Sequence, residues 1–357
     1  MKLRQLLGYE RFSKGSKGCL HQTQHEDHRS VWLAHEFSQA SKMPKSDMLG
    51  VMRSYWLTRF LVVGAAVLAL VGVITWFCGL ELNRGGNGSP ATLERLLGLP
   101  VSVLQRVDIG RMNLLCAEGL AGADSCDLNA CLGMLDEMAG RVRSETQRHF
   151  YRFQKNPAEF EHSEGFYRMM MLAVVLAEDF GVRYAPAKIG TAAEARMGDG
   201  FFADARDVFL QGLTGPGRQG TCSSLPVLQV AVGRRLGYPL KLVTTKGHLF
   251  ARWEGRGERF NIEAAGSGVN RFPDDYYRHW PLEVTPAEET AEGYLKSLTP
   301  AGELAVFLSI RGMCLRETGR LPEAAAAFAA AARWIRPAGL GGFCSSPHTR
   351  RPLQTAL

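Results

Sequence analysis

Residues 220–226 read Gly-Thr-Cys-Ser-Ser-Leu-Pro, and this stretch decides how the rest of the chain is interpreted. The thiol of Cys222 stands directly before a predicted helix, in which Pro226 suits the first turn and Gly237 marks the end. Unpaired backbone N–H groups and the positive end of the helix dipole favour the nucleophilic thiolate at such a place. The sequence therefore predicts a reactive cysteine at Cys222. Helical spacing is shown by the apolar residues Leu225, Leu228, Val232 and Leu236.

After this helix the chain changes to the pattern of β-strands. Residues 238–245 form one predicted strand, and residues 248–254 and 257–264 form two more. A glycine at the first loop position favours a two-residue type II′ turn at residues 255–256. The three predicted strands therefore make a small antiparallel sheet.

This turn would set which residues face each other across the last two strands. It pairs Glu254 with Gly257 and places His248 opposite Glu263, on one face of the sheet. We therefore expect the Glu263 carboxylate to orient the imidazole. Asn261 lies on the same face and is the alternative, because a four-residue loop would shift the register by two.

Cys222, His248 and Glu263 together supply a nucleophile, a general base and an orienting acid. Taken alone, each of these residues could have a purely structural role; a cysteine in an apolar helix, for example, is most often a small core residue. Five neighbours are candidates for the oxyanion site and the cleft, although Arg252 could equally pair with a carboxylate on the sheet. These neighbours are Gln219, Thr221, Ser223, Arg252 and Trp253.

The order of cysteine, histidine and acid on a helix start and two neighbouring strands resembles the transglutaminase-like superfamily. More narrowly, the chain is similar over roughly residues 90–337 to bacterial SirB-type proteins. That resemblance implies an α+β fold with a papain-like core, a helical N-terminal region and a C-terminal tetratricopeptide-like hairpin. One departure concerns Thr221, because animal transglutaminases carry glutamine immediately before the nucleophile and this chain has its nearest glutamine at Gln219.

A long apolar run precedes these regions. Residues 60–80 are 21 residues without a charge, enough to span the roughly 30 Å of a bilayer core. More basic residues precede the run than follow it, so the positive-inside rule puts the N-terminus in the cytoplasm and the catalytic region outside. A cleaved signal peptide is the alternative for this run. Translation could also start at Met48 or Met52.

The predicted organisation has seven parts. They are a flexible extension (1–52), a transmembrane helix with its flank (53–81), a linker (82–90), a helical region (91–200), the transglutaminase-like core (201–297), a tetratricopeptide-like hairpin (298–337) and a disordered tail (338–357). In the hairpin, Gly319 lies in the turn, and Gly312, Ala324, Phe328 and Ala331 allow close helix packing. A lone hairpin is expected to pack on the core, and binding of a protein partner is the other reading.

Charge and cysteine content exclude several functions. Residues 1–59 hold ten Lys and Arg against five Asp and Glu, whereas residues 82–357 hold 32 against 29, so the net charge of +7 sits mainly in the N-terminal extension. No nucleic-acid-binding signature accompanies it, and we expect no nucleic-acid partner. Eight cysteines without metal spacing predict neither a disulfide framework nor a metal site. The histidines of the N-terminal extension could be interpreted as metal ligands, but the extension has no folded scaffold that would hold them in a coordination geometry.

The sequence thus predicts a membrane-anchored, cysteine-dependent acyl-transfer enzyme that acts on a protein or peptide. Water or an amine would accept the acyl group, and no metal or organic cofactor is needed for this chemistry. The rival reading is a catalytically silent scaffold for protein–protein interaction, built from the same core and hairpin.

Overall fold

A computed structural model describes residues 89–123, 127–189, 200–266 and 268–335. The predicted extension, the transmembrane span, nearly all of the linker and the C-terminal tail lie outside these ranges. Within them, no helix combines the length and the apolar character that a membrane crossing requires.

The first part of the described chain is helical. Its longest helix begins after Asp127, whose carboxylate accepts hydrogen bonds from the backbone N–H groups of Asn129 and Ala130, as an N-cap does. This helix lies within the predicted helical region 91–200. The helices are α1 Leu93–Leu97, α2 Val101–Leu104, α3 Ile109–Cys116, α4 Leu128–Lys155 and α5 Glu164–Val174, with a π-helical turn Val175–Asp179 continuing α5.

The second part combines short helices with two small sheets and ends in a helical hairpin. Its first elements are β1 Arg183–Tyr184, α6 Ala205–Val208, α7 Gln211–Thr214, β2 Gln219–Gly220 and α8 Leu225–Arg235. The strands β3 Leu240–Thr245, β4 His248–Gly255 and β5 Glu258–Ile262 follow. The remaining helices are α9 Asp274–His279, α10 Pro286–Glu292, α11 Pro300–Glu317 and α12 Leu321–Ile335, and 3-10 turns occur at Pro157–Phe160 and Pro186–Lys188.

The three-stranded sheet is antiparallel in the order β3-β4-β5, but its last hairpin differs from the predicted one. Gly255 pairs with Glu258, so the turn consists of Arg256 and Gly257, which have φ of 58° and 81°. Two positive φ values match a type I′ turn. The predicted turn at residues 255–256 was therefore wrong, because Gly255 is needed within β4, where a Cβ would collide with Pro239.

One apolar core connects the helical region, the sheet and the C-terminal helices. It includes Met112 of α3, Leu135 of α4, Leu228 of α8, Leu242 of β3 and Leu304 of α11. Helix α8 lies at its centre, and nine of its eleven residues are buried. The boundaries predicted at residues 200 and 297 therefore do not separate independent cores.

The C-terminal hairpin is closely packed. A Cβ on Gly312 would fall 2.5 Å from the ring of Phe328, so glycine is what lets α11 and α12 approach. Ala324 and Ala331 are buried in the same interface, and Gly319 takes φ of 75° between the helices.

Polar contacts attach this hairpin to the rest of the molecule. Arg234 of α8 forms an ion pair with the fully buried Glu303 of α11. Arg311 donates a hydrogen bond of 3.0 Å to the carbonyl of Cys116, and Arg320 donates one of 2.6 Å to that of Gly119. The hairpin thus lies against the core along its first helix.

Candidate active site

Cys222 lies in a helical turn that leads into α8. The backbone N–H groups of Ser224 and Leu225 both donate to the carbonyl of Thr221, at 3.1 and 2.9 Å, so helical bonding starts at Thr221, four residues before Leu225. The Cys222 side chain is 6% exposed. The predicted position at a helix start is therefore approximate: the cysteine occupies the turn before the first residue of the helix.

Two hydroxyl groups hold this turn in place. Thr221 Oγ1 and Ser224 Oγ each donate a hydrogen bond of 3.0 Å to the backbone carbonyl of Asp207, and Ser224 Oγ also accepts from the Thr221 N–H. The N–H of Ser223 donates to Thr221 Oγ1 at 3.3 Å. Thr221 therefore acts through its side chain as a clamp on the cysteine turn. Gln219, in contrast, lies in β2 opposite Arg183.

His248 and Glu263 are in direct contact. The Nε2 atom of His248, the first residue of β4, lies 2.8 Å from Oε2 of Glu263. The other carboxylate oxygen accepts the N–H of Ala265 at 3.0 Å, and the Tyr277 hydroxyl donates to Oε2 at 3.2 Å. Three groups thus hold the Glu263 carboxylate, which in turn holds the imidazole.

The register that produces this contact is not the predicted one. The β4–β5 ladder ends with Ala251 opposite Ile262, and Glu263 pairs instead with Asn270. Glu263 therefore reaches His248 diagonally from beyond the strand end. A slip of two residues keeps a side chain on the same face of a sheet, which is why the two residues still meet.

The surroundings of His248 favour its charged form. Burial of the ring is the largest influence and lowers its pKa, but the Cys222 thiol and the Glu263 carboxylate outweigh it and raise the pKa of His248 to about 9. Burial also acts to raise the pKa of Glu263, yet the bonds from His248, Ala265 and Tyr277 leave that pKa below its ordinary value. The pair is therefore an imidazolium and a carboxylate at neutral pH.

The second ring nitrogen of His248 remains for the cysteine. Nε2 is occupied by Glu263, and Nδ1 is buried without a hydrogen-bond partner among the described residues. The Cys222 thiol lies close enough to the imidazole for hydrogen bonding and electrostatic attraction to raise the pKa of His248, although no well-aligned bond to Nδ1 is formed among the described residues. Catalytic hydrogen bonds are often long without substrate, so this arrangement suits a nucleophile and its base.

Aromatic rings from α9 and its end enclose the histidine. The ring of Tyr277 stacks on Phe250 with a centroid distance of 3.8 Å, and it lies parallel to the ring of His248 at 6.1 Å. Trp280 contacts His248 edge-on at 4.7 Å. These rings exclude water from the imidazole, and electrostatic interactions are stronger where water is excluded.

Asn261, the alternative orienting residue, belongs to a different network. Its Oδ1 accepts a bond of 2.7 Å from Arg252, while its Nδ2 donates to Asp274 Oδ1 at 2.7 Å and to the Phe272 carbonyl. Arg252 is 1% exposed and also forms an ion pair with Asp274 and a bond to the Leu295 carbonyl. The partner carboxylate of Arg252 thus comes from α9 and not from the sheet.

Arg252 and Trp253, which were predicted to shape the cleft, are both deeply buried. Trp253 lies on the opposite face of β4, is 1% exposed, and stacks on Phe260 at 5.9 Å. Neither residue lines the pocket that opens beside Leu225 and Ala264. Both residues stabilise the sheet that carries His248.

Sequence reasoning missed the contribution of α9. Asp274 holds the Arg252 and Asn261 network, Tyr277 bonds Glu263, and Trp280 covers His248. The aromatic density of residues 276–280 was the available signal. Aromatic clusters near a predicted site often cover it, but nothing local to this segment indicates which strand it packs against.

Two other described cysteines, Cys116 and Cys314, are buried in the apolar core. Burial raises the pKa of both Cys116 and Cys314 to about 12, so these thiols stay protonated at neutral pH. Across the described ranges, no group of three or more His, Cys, Asp or Glu side chains is arranged to hold a metal ion. The histidines of the N-terminal extension lie outside the described residues.

Comparison with protein-family models, with curated proteins and with solved structures finds no match to this chain. Its function must therefore be argued from the site.

Proposed function

We propose that this protein is a cysteine-dependent acyl-transfer enzyme of the transglutaminase-like superfamily, anchored to a membrane by residues 60–80. The observation that carries the proposal is the 2.8 Å contact between His248 Nε2 and Glu263, which leaves Nδ1 for Cys222. A histidine that is bonded to an acid through one nitrogen and faces a thiol with the other is the arrangement of an activated nucleophile.

In the first step the Cys222 thiolate attacks the carbonyl carbon of an amide, and a C–S bond forms. Backbone N–H groups of the cysteine turn stabilise the oxyanion. The C–N bond then breaks, and the His248 imidazolium gives its proton to the leaving amine. Glu263 keeps the imidazole oriented and stabilises its positive charge throughout.

In the second step water or an amine attacks the thioester. His248 now accepts the proton of the attacking group, and the acyl group leaves Cys222 as an acid or a new amide. Both acceptors suit the same site, so the reaction class is acyl transfer from a protein or peptide amide.

A catalytically silent scaffold is the second candidate, and one observation favours it. Cys222 and His248 are only 6% and 5% exposed, and Nδ1 of His248 has no hydrogen-bond partner within the described ranges. In this reading the core and the C-terminal hairpin form a surface for a protein partner. Reactivity of the thiol distinguishes the two candidates.

The test is alkylation with a low concentration of iodoacetamide at about pH 6, followed by mass-spectrometric mapping of every cysteine. The enzyme reading predicts that Cys222 reacts faster than Cys116 or Cys314, because thiolate rather than thiol is the nucleophile. His248→Ala should slow the labelling of Cys222 alone. Equal rates for Cys222 in the two proteins would support the scaffold.

A further inference from the structure

A pocket opens next to the candidate catalytic residues. The space there measures about 380 Å³, which includes solvent at the open side of the pocket. Leu225, Ala264 and Tyr184 are among its lining residues. Leu225 follows Cys222 by three positions, Ala264 follows Glu263 directly, and Tyr184 pairs with Gly220, two positions before Cys222. The pocket is therefore bounded by the same segments that carry the thiol and the acid.

Most of the wall is aliphatic. The residues that form it come from α5, α8 and the segments around β1 and Glu263, and none of them can hydrogen-bond through its side chain. They are Ala173, Leu176, Ala177, Val182, Leu225, Leu228 and Ala264. Such a wall favours an aliphatic group over a polar or charged one.

One buried polar group interrupts this wall. Gln229 of α8 is 4% exposed, and its Nε2 donates a hydrogen bond of 2.9 Å to the carbonyl of Gly268. Because a carbonyl can only accept, this bond fixes which end of the amide is nitrogen. The Oε1 atom is buried without a hydrogen-bond partner among the described residues. An unsatisfied buried acceptor is costly, so a donor that reached it from the pocket would be stabilised there.

A positive charge lies at the exposed side of the pocket. Arg183 is exposed and lines the pocket together with Gln229. A ligand that carries an ammonium group would be repelled there, and a charged group of either sign would lose its hydration against the aliphatic wall. The lining thus selects an uncharged group.

We propose that the pocket binds an aliphatic residue of a peptide substrate, next to the amide attacked by Cys222, and that Gln229 Oε1 accepts a hydrogen bond from that residue. The inference rests on the proposed acyl-transfer function and adds its substrate class. The donor is either the backbone N–H of the bound residue or a hydroxyl on its side chain.

Dipeptidyl vinyl sulfones test the proposal with the full-length protein. Attack by Cys222 forms a C–S bond as the vinyl π bond breaks, and the adjacent carbon takes a proton from His248. Either peptide position carries Leu, Val, Thr, Lys or Glu in turn, and the Leu probe is also made with its backbone N–H methylated. The rate of labelling at Cys222 is read by mass spectrometry.

Leu, Val or Thr should react roughly 10-fold faster than Lys or Glu at one of the two positions. If the donor is the backbone, N-methylation should slow the Leu probe by roughly 10- to 100-fold; if it is a hydroxyl, Thr should exceed the isosteric Val by a similar factor. Faster labelling by Lys or Glu, or the absence of both donor effects, would overturn the proposal.

Gln229→Met identifies the acceptor, since methionine has similar size but accepts hydrogen bonds only weakly. In Gln229→Met, the change in labelling rate caused by N-methylation, or by replacing Thr with Val in the probe, should shrink to about twofold or less. If N-methylation slowed the variant as much as the wild-type protein, its effect would be steric, and the role of Gln229 would be refuted.

If Gln229→Met does not fold, Ala177→Phe at the exposed side of the pocket tests the same site, with the exposed Ala325 changed to Phe as control. Ala177→Phe should lower the ratio of the Leu-probe rate to the iodoacetamide rate at Cys222, and Ala325→Phe should leave that ratio unchanged. An unchanged ratio in Ala177→Phe would contradict binding in this pocket.

The proposed function and the substrate assignment are tested by different results. If iodoacetamide labelled Cys222 at the same rate in the wild-type protein and in His248→Ala, the proposed function would be disproved. Labelling that depends on His248 but shows no preference among the vinyl sulfones would leave the function standing and remove only the substrate assignment.

Discussion

Replacing Glu263 with Gln tests whether this carboxylate keeps the imidazole charged. The substitution preserves size and one acceptor oxygen but removes the negative charge that lies 2.8 Å from His248 Nε2. Without that charge, burial still lowers the pKa of the ring and only the Cys222 thiol still raises it, so the pKa of His248 falls from about 9 toward its ordinary value of 6.5.

The size of the effect follows from this change. A fall in pKa from about 9 to 6.5 shifts the equilibrium between thiol–imidazole and thiolate–imidazolium by about 300-fold, because each pKa unit is a factor of ten. Since Cys222 itself contributes to the raised pKa of His248, we expect Glu263→Gln to slow alkylation of Cys222 by roughly 100-fold.

The assay is the second-order rate of iodoacetamide labelling at about pH 7, measured at the Cys222 peptide. Glu94→Gln, at an exposed position in α1, is the matched control and should label like the wild-type protein. Asn261→Ala should reduce the free energy of unfolding by about 1–3 kcal/mol, through its lost bonds to Arg252 and Asp274, and change labelling less than about fivefold.

A Glu263→Gln protein that labels Cys222 at the wild-type rate would refute the reasoning. If Asn261→Ala were folded and nearly unreactive instead, the orienting residue would be Asn261, and the site would be of the Cys-His-Asn kind.

Three further predictions concern stability. Because the pKa of His248 is raised to about 9, it contributes about 3 kcal/mol to the free energy of unfolding below about pH 6.5 and loses this contribution as the pH rises through about 9. Urea unfolding of wild type and His248→Gln should thus differ less at high pH, and a constant difference would contradict this. Arg234→Met leaves the buried Glu303 unpaired and should lower the free energy of unfolding, measured with denaturant, by about 3–5 kcal/mol. A free energy close to that of the wild-type protein would show that the ion pair contributes little. Gly312→Val should cost about 1–3 kcal/mol by thermal unfolding, since its Cβ would meet Phe328, and an unchanged melting temperature would show that the hairpin can open there.

Local patterns predicted the elements around the site well. The apolar spacing after Cys222 indicated α8, and β-branched runs indicated the strands observed as Leu240–Thr245 and His248–Gly255. The face of the sheet was also predictable, because side chains alternate with a period of two. His248 and Glu263 therefore met although their register was wrong.

The features that failed depend on contacts between distant segments. Gly255 was assigned to the turn because glycine favours turns, whereas its absent side chain makes room for Pro239. Arg252 looked like a surface residue of the cleft, because its half-buried partner Asp274 lies 22 positions away. Tyr277 reaches Glu263 from a six-residue helix that has too few turns to show a periodic pattern.

The resemblance to the transglutaminase-like superfamily stays a prediction and so does the membrane anchor. Residues 60–80 lie outside the described part of the chain, and no matching protein assigns the family. The site itself supports the proposal by its geometry, since the thiol, the imidazole and the carboxylate occur in the required order and the last two are in contact.

The most direct test of the central claim is detection of an acyl group on Cys222. The protein is mixed with p-nitrophenyl acetate, quenched in acid and analysed by intact mass and peptide mapping. We predict an acetyl adduct on Cys222 that disappears on incubation with water or an amine and is absent from Cys222→Ala and His248→Ala. An adduct that forms equally in His248→Ala, or that forms only on other residues, would contradict the account.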